Sequence, residues 1–166
     1  MKSFPSYRMV KEQTGLSMDP SLMLPKVMWV KNNEKEIFAR TFRFLSPNDY
    51  LTAKFTGRYV TDYMNAQKWH YNIEKREYPV SLLAEAGISS KRLPEVLTPG
   101  EYAGSITESA SEQTGLSHST KVVLSAYDAI CSFIGSGAGR EGDASDVSGT
   151  VTVFRAVSGN KIEPAP

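Results

Sequence analysis

The sequence predicts an α/β protein, a mixed sheet with several helices, and three observations carry that prediction. Ser46-Pro47-Asn48-Asp49 is a compact helix start, with a hydroxyl N-cap, proline at the first helical position and an acid in the first turn. Lys121-Val122-Val123-Leu124, then Ser125-Ala126-Tyr127, then an apolar run opened by Asp128 read as strand, turn and helix. Val151 and Val153 alternate after Ser148-Gly149-Thr150, which suits a strand or hairpin within 147–157.

The elements follow in order. After Asp19-Pro20, a helix-period stripe of Leu22, Leu24, Val27, Met28 and Trp29 predicts a buried helix to about Asn32, with Trp29 in the core. Pro25 is tolerated there only near the first turn. Asn33 is expected to cap a short helix over 34–40 with Ile37 and Phe38 inward, followed by an extended Phe42-Arg43-Phe44-Leu45. The helix begun at Ser46 runs through Tyr50, Leu51 and Phe55 and ends at Thr56-Gly57. Residues 59–78 have no clean period and are expected to form a loop-rich connection. Pro79 to Ala86 returns to helix, with Val80, Leu82 and Leu83 inward and Gly87 as the stop. Leu93-Pro94-Glu95-Val96 leads through Pro99-Gly100 to a strand over 102–106, and a small helix over 108–114 ends at Gly115. Gly135, Gly137, Gly139 and Gly142 mark a hinge, and Pro164 and Pro166 an exposed end.

Composition bounds the function. The 166 residues fit one ordinary domain, and 40% hydrophobic with 22% charged residues is the composition of a globular protein. Nineteen Lys and Arg are interspersed with eighteen Asp and Glu, so no nucleic-acid footprint is expected. A single cysteine, Cys131, and two histidines far apart, His70 and His118, offer no zinc cluster. No stretch is apolar enough for a signal peptide or a membrane span, which makes the cytoplasm the expected compartment.

Among residues able to carry chemistry, Asp128 stands at the strand-to-helix junction, the expected carboxyl edge of a sheet, where open α/β folds place ligands. A carboxylate there can accept a proton from a hydroxyl attacking a phosphoryl group, or it can simply cap the helix. Gly137-Ala138-Gly139-Arg140-Glu141-Gly142 has the letters of a dinucleotide fingerprint but follows a helix, so it is rejected as one. Gly149-Thr150, between extended segments, can aim backbone N–H groups and a hydroxyl at phosphate, although such a pair also serves as an ordinary turn. Cys131 is expected in the core, Trp69 stays open between core and sugar stacking, and His70 and His118 are expected at the surface.

Several of these segments fall in an order that resembles the FGGY family of carbohydrate kinases. They are Thr14-Gly15 with Asp19-Pro20, Leu24-Pro25-Lys26-Val27-Met28-Trp29, Glu36-Ile37-Phe38-Ala39, Pro47-Asn48-Asp49-Tyr50-Leu51 with Thr56-Gly57, Val60-Thr61-Asp62-Tyr63-Met64-Asn65-Ala66, and Leu93-Pro94-Glu95-Val96 with Pro99-Gly100 and Gly104. The resemblance covers residues 14–157 and implies a partial actin-like ATPase domain, ribonuclease-H-like in its α/β layout. Residues 1–142 would belong to the family's N-terminal domain and 143–166 to the start of its C-terminal, nucleotide-binding domain. It further implies Asp128 as catalytic base, Gly149 and Thr150 as contacts to the ATP phosphates, and ATP with Mg²⁺ acting on a sugar or polyol.

Departures accompany the resemblance. Ser125-Ala126-Tyr127 replaces the glycine-rich turn usual before the base, Ala129 replaces the Asn or Gln usual after it, and Val151 replaces a small hydroxyl residue. The family's Asp-x-Gly-Thr-x-Ser phosphate loop and most of its nucleotide domain have no counterpart in these residues. The chain is therefore expected to be inactive alone, as part of a kinase completed by another chain or as a non-catalytic sugar-binding or interaction remnant.

Overall fold

Side-chain caps and left-handed glycines fix several helix ends in the computed structural model, which describes residues 3–150 and 152–160. Expectations that fall on Val151, Pro164 and Pro166 lie outside the described residues. The chain divides into two compact units, one up to Leu124 and one from Ser125 onward.

The first unit opens with α1 (Tyr7–Thr14), a helix outside the predicted elements although Gly15 is a readable stop. It buries only Val10 and ends on Gly15 at φ 70°. In α2 (Met23–Asn33) Leu24 and Val27 are buried while Trp29 is 59% exposed, correcting its expected place in the core. At about 100° per residue, Trp29 lies about 140° from Leu24 and about 160° from Val27, which is off the buried face. The next helix, α3 (Lys35–Arg40), follows Glu34. Asn33 does not cap it, because its side-chain amide donates back to the Trp29 carbonyl at 2.8 Å. Ile37, expected inward, is exposed, whereas Phe38 stacks on buried Phe44 at 5.8 Å between ring centroids.

Residues 42–45 form no strand; the segment is fastened instead by the Phe44 N–H donating to the Arg92 carbonyl at 2.9 Å. A capping box then starts α4 (Pro47–Thr56). The Ser46 hydroxyl accepts from the Asp49 N–H at 3.3 Å, the Asp49 carboxylate accepts from the Ser46 N–H at 2.9 Å, and Gly57 at φ 74° ends the helix.

Residues 59–78 are more ordered than their composition suggests. They contain β1 (Val60–Asp62), α5 (Tyr63–Ala66) and a 3₁₀ turn, Gln67–Trp69. All three residues of β1 are buried, which removes the alternation by which a half-exposed strand is recognised. Trp69 enters the core, and His70, expected at the surface, is fully buried. Farther along come α6 (Val80–Glu85), with Leu82 and Leu83 buried and Val80 exposed, β2 (Glu95–Leu97), β3 (Tyr102–Ser105), α7 (Glu108–Thr114) and β4 (Lys121–Val123). β1 and β2 pair in parallel, Val60 opposite Glu95, while β3 and β4 pair antiparallel with an irregularity between Tyr102 and Gly104.

Two apolar clusters hold this unit. The larger joins residues of α1, α2 and α6 with Phe44, Trp69, Ile88 and Leu93; the smaller joins Val60, Ala103 and Leu124 at the strands. Burying a side chain such as Leu82 stabilises by about 1.5–3 kcal/mol.

The second unit consists of α8 (Asp128–Gly135), a glycine-containing connection, and a hairpin of β5 (Ala144–Ser148) and β6 (Thr152–Ala156). The hairpin pairs Val147 with Val153 and Ser148 with Thr152, within the range the alternation suggests, but β5 begins earlier, at Ala144. Parallel and antiparallel pairing thus both occur, in three two-stranded sheets among the described residues.

Candidate functional site

The strand and the helix read around Asp128 are present, joined by residues without an assigned turn. β4 is prolonged by the Leu124 N–H donating to the Glu101 carbonyl at 3.0 Å, Ser125 to Tyr127 have no regular structure, and Asp128 is the first residue of α8. The strand leading to Asp128 runs antiparallel to β3, so the junction is not the carboxyl edge of a parallel pair; that arrangement belongs to β1 and β2. Tyr127, not Asp128, is the N-cap. The Asp128 residue is exposed, and one carboxylate oxygen accepts from the Ala129 N–H at 2.7 Å. An acid in the first turn also matches the positive end of the helix.

Cys131, expected in the core, is exposed on the first turn of α8. Its thiol donates to the Ala126 carbonyl at 3.2 Å and meets the Ser125 hydroxyl at 3.2 Å. Phe133 is the buried residue of this helix.

Gly149 and Thr150 form the exposed turn between β5 and β6. Among the described residues other than its chain neighbours, none has an atom within 4 Å of where a side chain would begin at Gly149. The run from Gly137 to Gly142 links a helix to a strand, and Asp143 occupies two of its amides. One carboxylate oxygen accepts from the Arg140 N–H at 2.7 Å and the Gly139 N–H at 3.0 Å. Those two bonds, Arg140 first, hold the Asp143 carboxyl below the ordinary carboxylate range. Among the described residues no cluster of three His, Cys, Asp or Glu could hold a metal ion, and no helix is long and apolar enough to cross a membrane.

A second polar constellation, within residues expected to be loop, sits at the end of β1. Asp62 is buried; one carboxyl oxygen accepts from the N–H groups of Met64 (2.8 Å) and Asn65 (3.0 Å), and the other accepts from the Asn65 side-chain amide at 2.6 Å. The Asn65 side-chain oxygen in turn accepts from Lys68 Nζ at 3.0 Å. The order Thr61-Asp62-Tyr63-Met64-Asn65-Ala66 therefore builds a rigid cap. An aspartate followed three residues later by an asparagine is the readable signal, obscured by the absence of a helix period around it.

Comparison with known proteins fits this architecture. The model of the FGGY family of carbohydrate kinases, N-terminal domain, matches residues 5–135. The chain is 34% identical over 115 residues to the xylulose kinase of Bacillus subtilis (strain 168), covering 69% of this chain and 23% of that protein. It is 29% identical over 142 residues to the autoinducer-2 kinase of Klebsiella pneumoniae subsp. pneumoniae, covering 85% of this chain and 26% of that protein. A solved xylulose kinase from Brucella ovis superposes with TM-score 0.79 at 28% identity, over 94% of this chain and 34% of that one. The xylulose kinase from Rhodospirillum rubrum, at TM-score 0.86 and 23% identity over 95% and 33%, speaks for the fold alone. The chain thus spans between 23% and 34% of the lengths of these relatives, and its fold is part of their actin-like α/β fold. With the match running from residue 5 to 135, the chain belongs to the FGGY family of carbohydrate kinases.

Proposed function

We propose that this chain is part of an ATP-dependent kinase that phosphorylates a sugar or polyol, with Asp128 as base and Gly149 and Thr150 at the nucleotide phosphates. The observation that carries the reading is the exposed Asp128 carboxylate at the start of α8, the helix that follows β4 in the chain. In the reaction an acceptor hydroxyl oxygen forms a bond to the γ-phosphorus of the nucleotide as the bond to the ADP oxygen breaks. The hydroxyl proton passes to the Asp128 carboxylate, leaving ADP and a sugar phosphate. The Gly149–Thr150 turn suits its role because, chain neighbours aside, no described residue crowds the backbone at Gly149. Mg²⁺ would neutralise developing phosphate charge, arriving with the nucleotide phosphates. Residues 1–142 are assigned to the N-terminal domain and 143–166 to the start of the C-terminal one. The remaining phosphate-binding groups would be supplied by kinase residues other than these, in the cytoplasm, where ATP is at hand.

The test is reconstitution. The chain replaces its matching segment in a xylulose kinase, and turnover is measured with Mg-ATP and a panel of ketoses, polyols and aldonates. Asp128→Asn is expected to lower kcat by about 10²–10⁴-fold with folding unchanged, while the isolated chain gives no measurable turnover. Full turnover in Asp128→Asn would remove Asp128 from the reaction. A second reading, a non-catalytic sugar-binding remnant, is favoured by the hydrogen bond that already engages the Asp128 carboxylate and by the apolar Ala129 beside it. Calorimetric sugar binding without turnover in the reconstituted protein would select it.

A further inference from the structure

In the first unit an open cavity of about 410 Å³ is lined by residues that include Arg43, Arg58, Tyr59, Ser90, Leu93 and Glu95. That size falls within the range of small-molecule sites, about 300–1,000 Å³. None of its lining residues belongs to α8 or the hairpin.

Its two arginines differ in kind. Arg58 is committed: it donates to the Ala103 carbonyl at 2.9 Å and to the Glu95 carboxylate at 3.1 Å, an ion pair in which the two charges offset each other. Arg43 pairs with no carboxylate among the described residues, and its hydrogen bond goes to the neighbouring Phe42 carbonyl at 3.3 Å. It is nevertheless held in place. The guanidinium lies 4.3 Å from the centre of the Phe42 ring and 5.6 Å from that of Tyr59, and the two rings meet edge to face at 5.6 Å. The bond from the Phe44 N–H to the Arg92 carbonyl anchors the backbone just beyond.

An arginine laid on two aromatic rings keeps its planar fork of donors preorganised, so less side-chain freedom is lost when it binds an oxyanion. The fork matches phosphate oxygens in pairs. With Arg58 offset by Glu95, Arg43 leaves the cavity net positive, and Ser90 and Tyr59 add hydroxyls to its wall. Phe42 is 64% and Tyr59 40% exposed, so the platform under the cation faces solvent. Exposed rings gathered around an unpaired cation mark a binding surface more than a packing one.

We propose that Arg43, on its Phe42–Tyr59 platform, anchors the phosphate of a small phosphate monoester in this cavity. The phosphate sits on the guanidinium fork, and the remainder of the ligand lies along Tyr59 and Leu93. The assignment of Asp128 as base is not required for it.

Calorimetric titration of the full chain with inorganic phosphate, ribose 5-phosphate and AMP tests the site and separates its sources of phosphate. Binding of at least one of them is expected. Arg43→Ala should weaken it at least tenfold, and Arg43→Lys, which keeps the charge without the stacked fork, severalfold. Asp128→Asn should bind like the parent chain, so failure of the kinase reading and failure of this site are read separately. Lys75→Ala, at another exposed charge, should also bind unchanged. Circular dichroism of Arg43→Ala should match the parent, since the hydrogen bond lost is an exposed one. If none of the three probes binds, or if Arg43→Ala and Lys75→Ala weaken binding equally, the site is refuted.

Discussion

Asp62 and His70 are both buried, yet their surroundings treat them in opposite ways. Both carboxyl oxygens of Asp62 are engaged by the Met64 and Asn65 amides, whereas neither ring nitrogen of His70 has a hydrogen-bond partner among the described residues. His70 also sits at φ 59°, a left-handed position that histidine tolerates better than a branched residue. Burial pushes the His70 pKa below its ordinary value. The unfolded chain then binds a proton near pH 6.5 that the folded chain refuses, so stability is highest above that pH and declines as pH falls below it. Asp49 acts in the opposite sense and lower down. Burial raises its carboxyl, so its contribution is present below pH 3.8 and lost as pH rises through its folded value. Between about pH 7.5 and about pH 5.5, stability in urea should therefore fall more for the parent chain than for His70→Asn, by up to about 1.4 kcal/mol per pH unit. Equal falls in the two proteins would exclude the imidazole as the cause.

At the scale of elements, what is legible in the sequence is what is locally determined. The start of α4 and the ends of α4 and α7 are written in residues that cap their own helices: Ser46, Asp49, Gly57 and Gly115. β1 and β2 are not legible, because three-residue parallel strands pair across more than thirty positions and β1 is buried throughout, with no period to betray it. Trp29 and Ile37 are misplaced by their stripe for a related reason. An apolar stripe predicts a helix, but only its partners decide which edge of the stripe is covered. Gly104 shows such a partner. A Cβ there would lie 2.9 Å from Thr56 Cβ at the end of α4, and φ is 156°. Gly104→Ala should destabilise by about 1–3 kcal/mol, and part of that loss should disappear when it is made in a Thr56→Gly background and compared with Thr56→Gly alone, which lacks the crowding Cβ at 2.9 Å and methyl at 3.2 Å. No recovery would place the strain in the backbone instead.

Across the whole molecule, the candidate site is legible as an order of motifs and not as a geometry. Asp128 and the Gly149–Thr150 turn can be named from the sequence because each is a junction between elements. The Arg43 cavity cannot, because it joins residues as distant as Arg43 and Glu95 through tertiary packing. The two units also differ in how much holds them. Both apolar clusters lie in the first, whereas Phe133 is the buried apolar residue of the described part of the second, and Val147, Val153 and Phe154 of its hairpin are exposed. A two-stranded hairpin is at best marginally stable without a covered face. Hydrogen exchange of the isolated chain should therefore find the amides paired between β5 and β6 opening at far lower free energy than those of α2 and α6, whose side chains reach the larger cluster. In the reconstituted kinase the same hairpin amides should become protected, because a covering partner removes the exposed apolar faces from water. Equal protection of the hairpin and α2 in the isolated chain would mean that the second unit carries its own stability, and that its exposed strands await no partner.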